Sequence, residues 1–340
     1  MHRITSPQRR HCLALSASLC VGSFATGIAS AQTPDPAKDY PSKVITLVVP
    51  YAAGGSSDTR ARQVAEKIGG YLGKTVVVDN KPGAGGNIGT EFIARATPDG
   101  YTIGIGNFAP LTVNKALFPK LGYDALKDLT PVILLERGPL VLVVSAEKSA
   151  NKSFKDFQGY AKANNGKVTY ASAGTGGSFH LAGELLEDAM GAKMIHVPYK
   201  GGGPATNDLI AGTVDFMFDM LPAASGYIKS TPPRMRALAV ATAQRVPQLP
   251  DVPTFAELGY KGMEMSNWFG IVAPKGTPPA IVAKLNQAIN RALKDPDLVQ
   301  RITGPGNEVG GGTPAEFAAF ITEESRRWTK VIKDKDIRAD

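Results

Sequence analysis

Apolar and polar positions along the chain change repeatedly between the period of a strand and the period of a helix. The run VITLVV at 44–49 is short, continuous and β-branched, which predicts a buried parallel strand. Helical spacing follows in RARQVAEKIGGYL, then strand-like TVVVDN, helix-like GTEFIARA and strand-like YTIGIGN. Strands that alternate with helices predict βαβ units around a parallel sheet.

A second series of the same kind begins near Leu140. Its strands are VLVVS, KVTYAS, MIHVPY, TVDFMFD and RALAVAT, and its helices are SFKDFQGYAKA, HLAGELLEDAM and PATNDLIAG. Proline-rich VPQLPDVP predicts an extended crossing, after which SNWFGIVAP reads as a strand and two helical segments form the tail. The last helix has Thr313 as its predicted N-cap, with Pro314 and Glu316 in its first turn.

Two alternating series predict an α/β protein with two doubly wound lobes, and the C-terminal helices are expected to return to the first lobe. We expect lobe 1 to comprise residues 41–141 and 243–340, and lobe 2 to comprise residues 142–242. Ligands of such sheets bind at the carboxyl ends of the strands, where loops lead into helices. The loops that follow strands are therefore the first place to search for chemistry.

Three of these loops are rich in glycine: PYAAGGSSD at 50–58, NKPGAGGNIG at 80–89 and ASAGTGGSFH at 171–180. Glycine lets the backbone approach a ligand, and the helix that follows carries a partial positive charge at its N-terminus. Together these features make an anion site without a charged side chain. A tight turn explains any single loop equally well, but one such loop in each lobe favours the anion site.

The first 31 residues have the composition of an export signal. Basic MHRITSPQRRH precedes apolar CLALSASLCVGSFATGIA, and Ala29-Ser30-Ala31 forms a small-residue cleavage site. We expect cleavage after Ala31 and a mature periplasmic protein that begins at Gln32. Arg9-Arg10 leaves both the general secretory route and the twin-arginine route open.

Charge and cysteine content exclude several classes of function. The formal net charge of the 340 residues is +8, and removal of the leader takes away three arginines and no acid, leaving +5. The chain has no run of five like charges, which argues against nucleic-acid binding. Both cysteines, Cys12 and Cys20, lie in the leader, so the mature chain has no disulfide, thiolate nucleophile or cysteine metal site. We expect neither a cofactor nor a metal.

Enzyme signatures fail when they are checked position by position. GGYLGKT at 69–75 resembles a phosphate loop, but Ile68 stands where the loop needs glycine, and no G-x-S-x-G elbow exists. His196 lies in a strand and reads as a packed residue, whereas His180 is either a ligand donor or a polar support for its loop. Asp58 stands at the predicted N-cap of the first helix, and Asp219 ends a strand at the ligand-facing edge.

Several motifs in a fixed order resemble a known family. PYAAGGSSD, DNKPGAGGNIGTEFIARATPDGYT, ASAGTGGSFHLAGELL, HVPYKGGGPA and WFGIVAPKGTPP are similar to segments of the periplasmic receptors of tripartite tricarboxylate transporters, also called Bug receptors. The resemblance covers nearly all of residues 40–340. It implies a monomeric, two-lobed Venus-flytrap protein, not an enzyme, that closes over a small carboxylate and delivers it to one large and one small integral membrane subunit.

The resemblance also implies which residues bind the carboxylate. By position these are Tyr51, Ala53, Gly54, Ser57 and Asp58 in the first lobe, and Ser172, Gly174, Gly176, Ser178, His180 and Asp219 in the second. At Gly177 the family usually has Ser or Thr, so a hydroxyl donor is missing here or Ser178 replaces it. The expected lining of the distal pocket adds Asn107, Phe108, Phe179, Tyr199 and Trp268.

The sequence leaves the class of carboxylate open between aliphatic and aromatic acids. Two other functions also stay open at this point. One is a secreted hydrolase of a small carboxylic ester or amide that uses His180 and Asp219. The other is a sensor module that presents the same ligand to a membrane kinase.

Overall fold

The computed structural model describes residues 37–118, 120–334 and 337–338. The predicted signal peptide, its cleavage site after Ala31 and both cysteines lie outside the described residues. Among the helices in the described ranges, none combines the length and the apolar content that crossing a bilayer requires.

Strands and helices alternate along most of the described chain. The strands are β1 Ile45–Val49, β2 Val76–Asn80, β3 Thr102–Asn107, β4 Leu129–Ser145, β5 Thr169–Ser172, β6 Ile195–Pro198, β7 Phe216–Met220, β8 Met235–Val240, β9 Ser266–Pro274 and β10 Glu308–Gly311. The helices are α1 Ser56–Leu72, α2 Asn87–Arg95, α3 Asn114–Leu117, α4 Ala125–Asp128, α5 Phe154–Ala163, α6 Ser178–Met190, α7 Gly202–Ala211, α8 Leu221–Ile228, α9 Pro279–Ala292, α10 Pro296–Thr303 and α11 Pro314–Asp334. This alternation confirms the predicted α/β class.

Two sheets share the long strand β4. In the first sheet the strand order is β2-β1-β3-β9-β4, β1 is parallel to β2 and β3, and β10 also pairs with β4. In the second sheet β4 pairs with antiparallel β7 and β8, and β5 lies parallel between β7 and β6. Residues 129–139 of β4 pair with β9 in the first sheet, and residues 140–145 pair with β7 or β8 in the second. One strand therefore connects the two sheets directly.

The length of β4 differs from the sequence prediction. We expected a strand only from Leu140, but β4 begins at Leu129. Pro131 and the charged pair Glu136-Arg137 interrupt the apolar pattern and conceal the strand. Helices α8 and α10 and strand β10 were not predicted either, because each is short, with eight, eight and four residues.

Several local predictions are confirmed. β1 is buried and parallel to both of its neighbours, as its continuous β-branched run indicated. Helix α1 buries residues at helical spacing, among them Ala61, Val64 and Ile68. At the start of α11 the Thr313 hydroxyl accepts the Glu316 N–H at 3.2 Å, and the Glu316 carboxylate accepts the Thr313 N–H at 2.7 Å. This is the predicted reciprocal cap.

A buried ion pair joins α1 to the middle of β4. Arg60 Nη2 lies 2.8 Å from Glu136 Oε2, and the two side chains are only 4% and 2% exposed. Asn307, which lies just before β10, donates to the same carboxylate oxygen at 2.6 Å. A charge inside the core is tolerated only when a partner compensates for the lost hydration. The pair therefore explains how a glutamate can lie in the interior stretch of β4.

Removing one member of this pair should leave an uncompensated charge in the core. We expect Glu136→Ala to lower the free energy of unfolding by about 3–5 kcal/mol, measured by urea denaturation. The double variant Arg60→Met with Glu136→Leu should recover most of that loss, because it removes both charges and keeps apolar volume. A double variant as unstable as the single variant would contradict this account of β4.

Candidate functional site

Three helices begin at one cavity. Helices α1, α6 and α7 follow directly on Gly55, Gly177 and Gly201, and none of these three N-caps makes a side-chain hydrogen bond. The first N–H groups of a helix have no partner within the helix, and they carry the positive end of its dipole. The first turns of three helices are thus left available to an anion at a single place.

The cavity has a volume of about 30 Å³ and is lined from both sheets. Its lining consists of Tyr51, Ser56, Ser57, Gly85, Asn107, Ala173, Gly174, Gly177, Ser178, Phe179, Gly202, Asn267 and Phe269. None of these described lining residues carries a charged side chain. A bound anion would therefore be held by N–H groups, hydroxyls and side-chain amides.

Side chains at the ends of β1, β3 and β9 form a hydrogen-bonded wall of the cavity. The Tyr51 hydroxyl donates to Asn107 Oδ1 at 2.6 Å, and Asn107 Nδ2 donates to Asn267 Oδ1 at 3.0 Å and to the Trp268 carbonyl at 2.7 Å. Burial raises the pKa of Tyr51, so its hydroxyl stays protonated and remains a donor. The network keeps these side chains in place without a ligand.

Asp58 does not cap α1, so that expectation is wrong. The N-cap is Gly55, and Asp58 lies in the first turn, where its carboxylate accepts the Gly54 N–H at 3.1 Å. The same carboxylate accepts from Asn80 and forms an ion pair with Arg62 at 3.0 Å. Hydrogen bonds and the charge of Arg62 lower the pKa of Asp58 although its partial burial opposes this, so the carboxyl is ionised and holds the first loop.

A group of buried polar residues supports the loop between β5 and α6. His180 Nδ1 accepts the Gly176 N–H at 3.1 Å, and the ring stacks on His196 with their centroids 3.9 Å apart. The Ser172 hydroxyl lies 2.6 Å from His196 Nε2 and accepts the Gly174 N–H at 3.1 Å. His196 is packed, as predicted, and of the two roles left open for His180 the structure shows the polar support.

Loops from the two sheets touch through backbone atoms. The Ala52 N–H donates to the Lys200 carbonyl at 2.8 Å, which joins the loop after β1 to the loop before α7. A Cβ atom added at Gly203 would lie 2.8 Å from the Ala53 carbonyl oxygen. Such distances exist only because glycine has no side chain. The sequence analysis did not include KGGG at 200–203 among its glycine loops, although its position between a strand and a helix is the same signal.

A second and larger cavity lies beside the first. Its volume is about 300 Å³, and Ser56 and Gly202 line both cavities. Asp219 is one of its lining residues and is 1% exposed. Burial raises the pKa of Asp219 to about 7, although hydrogen bonds from the Met220 N–H and the Thr206 hydroxyl oppose the shift.

The proposed ligand-binding residues fall into three groups. Tyr51, Ser57, Asn107, Gly174 and Ser178 line the smaller cavity. Gly54 and Asp219 line the larger one. Neither lining includes Ala53, Asp58, Ser172, Gly176, His180 or Tyr199. Three of these six residues support the loops instead, as the hydrogen bonds of Asp58, Ser172 and His180 show.

Of the aromatic residues expected around a distal pocket, some line the smaller cavity and others lie elsewhere. Phe179 lines the smaller cavity, whereas Phe108 and Trp268 are fully buried in the core, and the Tyr199 hydroxyl donates to Asp208 at 2.6 Å. The sequence analysis missed the lining residues Ser56, Gly85, Asn267, Phe269 and Gly202. Ser56, Gly85 and Gly202 lie in glycine-rich loops or at the helix starts that follow them, so the pattern that marked the other loops would have found them.

The arrangement of His180 and Asp219 does not favour a hydrolase. His180 bonds to the Gly176 N–H and lies 3.5 Å from Glu184, while Asp219 accepts from the Met220 N–H and from Thr206. The two side chains therefore belong to separate groups. In the described ranges, no cluster of three His, Cys, Asp or Glu residues could hold a metal ion either.

Comparison with known proteins identifies the same family that the motifs resemble. The family model described as the tripartite tricarboxylate transporter family receptor matches residues 60–337. The solved periplasmic binding protein BugD is 37% identical, with a TM-score of 0.84 over 88% of this chain and 100% of BugD. The resemblance and the periplasmic-binding-protein architecture are thereby confirmed.

Two further solved structures contain a ligand. A protein of R. palustris with adipate is 36% identical, with a TM-score of 0.84, and the match covers 88% of this chain and 99% of that one. MatC from Rhodopseudomonas palustris with bound malate is 35% identical, with a TM-score of 0.81 and coverage of 86% and 100%.

The stacked histidines predict a dependence of stability on pH. Burial, and after it the neighbouring His180 ring, lowers the pKa of His196 to about 3. The neutral ring therefore contributes its full stability above the unfolded pKa of about 6.5, and the contribution is lost as pH falls from there toward the folded value. We expect the titration of His196 to remove on the order of 1–2 kcal/mol of unfolding free energy between about pH 7.5 and about pH 5. Asp219, whose pKa burial raises to about 7, stabilises the fold as pH falls over the same range. The loss due to His196 is therefore measured by urea denaturation as the difference between the wild type and a variant without the His196 ring.

The matched variant is His196→Gln, which keeps a hydrogen-bonding group toward Ser172 but does not titrate. As pH falls over the same range, its unfolding free energy should lack the loss that is due to His196. If the unfolding free energies of the wild type and the variant depended on pH in the same way, the pH dependence would belong to groups other than His196.

Proposed function

The chain belongs to the tripartite tricarboxylate transporter receptor family, and we propose that it is a periplasmic receptor that binds a small carboxylate between two lobes. The observation that carries the proposal is the meeting of three helix N-termini, none with a side-chain cap, at one cavity. The related R. palustris structures with adipate and malate support a carboxylate as the anion. The cavity offers donors for such an anion and no nucleophile with an activated base, so the ligand is bound and not transformed.

The two lobes in this proposal are the two sheets with their helices. Lobe 1 consists of residues 41–141 and 243–340, and lobe 2 of residues 142–242. Support comes from β4, whose strand pairing changes from the first sheet to the second between residues 139 and 140. The lobes close when the loops around Ala52 and Lys200 meet across the ligand.

The proposed partners of the closed receptor are the membrane components of the transporter, one large and one small subunit. The receptor acts as a monomer after export and removal of residues 1–31. The two lobes have one fixed relative orientation only when both sets of loops contact the ligand. The membrane components can therefore distinguish the ligand-bound receptor from the empty one by this orientation.

Adipate and malate are suitable first probes of carboxylate binding. A ligand at about 100 times its dissociation constant should raise the free energy of unfolding by about 2.7 kcal/mol, which a thermal-shift assay detects. The dimethyl esters should not stabilise the protein, because an ester cannot accept the same set of hydrogen bonds. An ester that binds as tightly as its acid would remove the carboxylate site from consideration.

Two serine substitutions test whether the expected donors contact the ligand. Ser57→Ala and Ser178→Ala should each weaken binding about five- to tenfold, since each removes about 1 kcal/mol of hydrogen bonding. Ser266→Ala, at an exposed position, is the control. Valine at Gly54 or Gly176 is unsuitable, because these glycines have φ of 85° and 81°, which strains any other residue with or without ligand.

Two glycines test the closure. A Cβ at Gly203 would lie 2.8 Å from the Ala53 carbonyl oxygen, whereas a Cβ at Gly70, which lines neither cavity, would have nothing within 4 Å. Gly203→Ala should therefore keep the lobes apart, and the control Gly70→Ala should let them close. Small-angle scattering with adipate should show a smaller radius of gyration for the wild type and Gly70→Ala but not for Gly203→Ala. Equal contraction of the two variants would contradict closure through these loops.

A further inference from the structure

The cavity at the helix N-termini is too small for a whole ligand. Its volume of about 30 Å³ compares with about 300 Å³ for the neighbouring cavity. A single water needs about 10–15 Å³ on this scale, and ligand sites usually measure several hundred Å³. The smaller cavity therefore has room for a carboxylate group, and the rest of the ligand needs another space.

The neighbouring cavity is in the right place to supply that space. Ser56 and Gly202 line both cavities, so the two share a wall. The wall includes backbone at Gly55 and Gly202, and a Cβ at Gly202 would have its nearest atoms, from Gly55 and Phe179, at 3.9 Å. This part of the wall consists of backbone, and a Cβ at Gly55 would lie 3.3 Å from the Gly202 and Gly203 nitrogens. A ligand whose carboxylate lies at the helix N-termini would have to place its chain past these glycines to reach the larger cavity.

The charges inside the larger cavity are unevenly compensated. Arg60 and Glu136 pair with each other at 2.8 Å. Asp219, on the second sheet, has no cationic partner among the residues that the structure describes. Its Oδ1 accepts from the Met220 N–H, and its Oδ2 lies 3.5 Å from the Thr206 hydroxyl. The other ionisable lining residues are Tyr227 and Arg301, and the Arg301 guanidinium pairs with Asp297. One buried carboxyl is therefore left facing the cavity without a cation.

We propose that the larger cavity receives the tail of the ligand and that this tail carries a protonated amine that pairs with Asp219. The proposal rests on the proposed function, because the carboxylate at the helix N-termini anchors the other end. A tail with a second carboxylate would instead meet the carboxyl groups of Asp219 and Glu136. Arg60 pairs with Glu136 through Nη2, and its buried Nε is the one guanidinium nitrogen of Arg60 without a hydrogen-bond partner among the described residues. Burial raises the pKa of Asp219 to about 7, and a cation beside this carboxyl would favour its ionised form.

A matched series of acids tests the proposal on the unmodified protein. Calorimetry would compare hexanoate, ω-aminohexanoate and adipate, together with the corresponding sets of four and five carbons. At the chain length that fits, the ω-amino acid should bind at least about tenfold more tightly than either the plain acid or the diacid. Tighter binding of the diacid at every length would overturn the proposal and leave the carboxylate receptor intact. Failure of every acid of the series to bind would overturn the amine-tailed ligand, whereas carboxylate binding itself is tested by the acids and their methyl esters in the thermal-shift assay.

Two variants separate the role of Asp219 from that of the carboxylate anchor. Asp219→Asn keeps the shape of the side chain and removes its charge, so the preference for the amine should fall at least about tenfold. The plain acid, which has no group for Asp219, should keep its affinity within about twofold. Asp251→Asn, at an exposed position, is the charge-matched control and should change neither value. An amine preference that survives Asp219→Asn would overturn the pairing.

Discussion

The structure depends on close contact between polypeptide backbones across the cleft. The loop after β1 and the loop before α7 meet through the hydrogen bond from the Ala52 N–H to the Lys200 carbonyl, and glycines on both sides leave no room for a side chain between them. This contact brings together the loops that precede α1 and α7. The loop before α6 meets the first sheet at Gly85, where an added Cβ would lie 2.4 Å from the Thr175 carbonyl oxygen. An anion in the cavity is bound by partial charges that are already in place, so binding needs no charged side chain to be ordered or desolvated.

This mode of binding has a consequence for the rest of each loop. The glycine loops must be held in shape by other groups, and buried polar residues perform this task. Asp58 accepts the Gly54 N–H, His180 accepts the Gly176 N–H and Ser172 accepts the Gly174 N–H. These three side chains, which the motifs assign to the ligand, support the loops that surround the cavity.

Strand β4 belongs to both sheets. The same strand pairs with β9 in the first sheet and with β7 in the second, and the pairing changes between residues 139 and 140. The buried Arg60–Glu136 pair lies on the first-sheet side of that point, and Asp219 lies on the other. The larger cavity between them is therefore lined from both sheets, which makes it a suitable place to recognise one ligand and reject another.

The amino-acid sequence alone determined the elements and their class. Local signals such as the β-branched run of β1, the cap at Thr313 and the glycine turns act within a few residues. The alternation of strands with helices, the α/β class and the glycine-rich loops could therefore be predicted from the sequence. The full length of β4 could not, because a charge at position 136 is compatible with a buried strand only when Arg60, 76 residues away in sequence, lies beside it. The same reason applies to the site. Tertiary structure alone decided that Ser57 and Ser178 line the cavity while Asp58 and His180 turn away, since those orientations follow from contacts between loops distant in sequence.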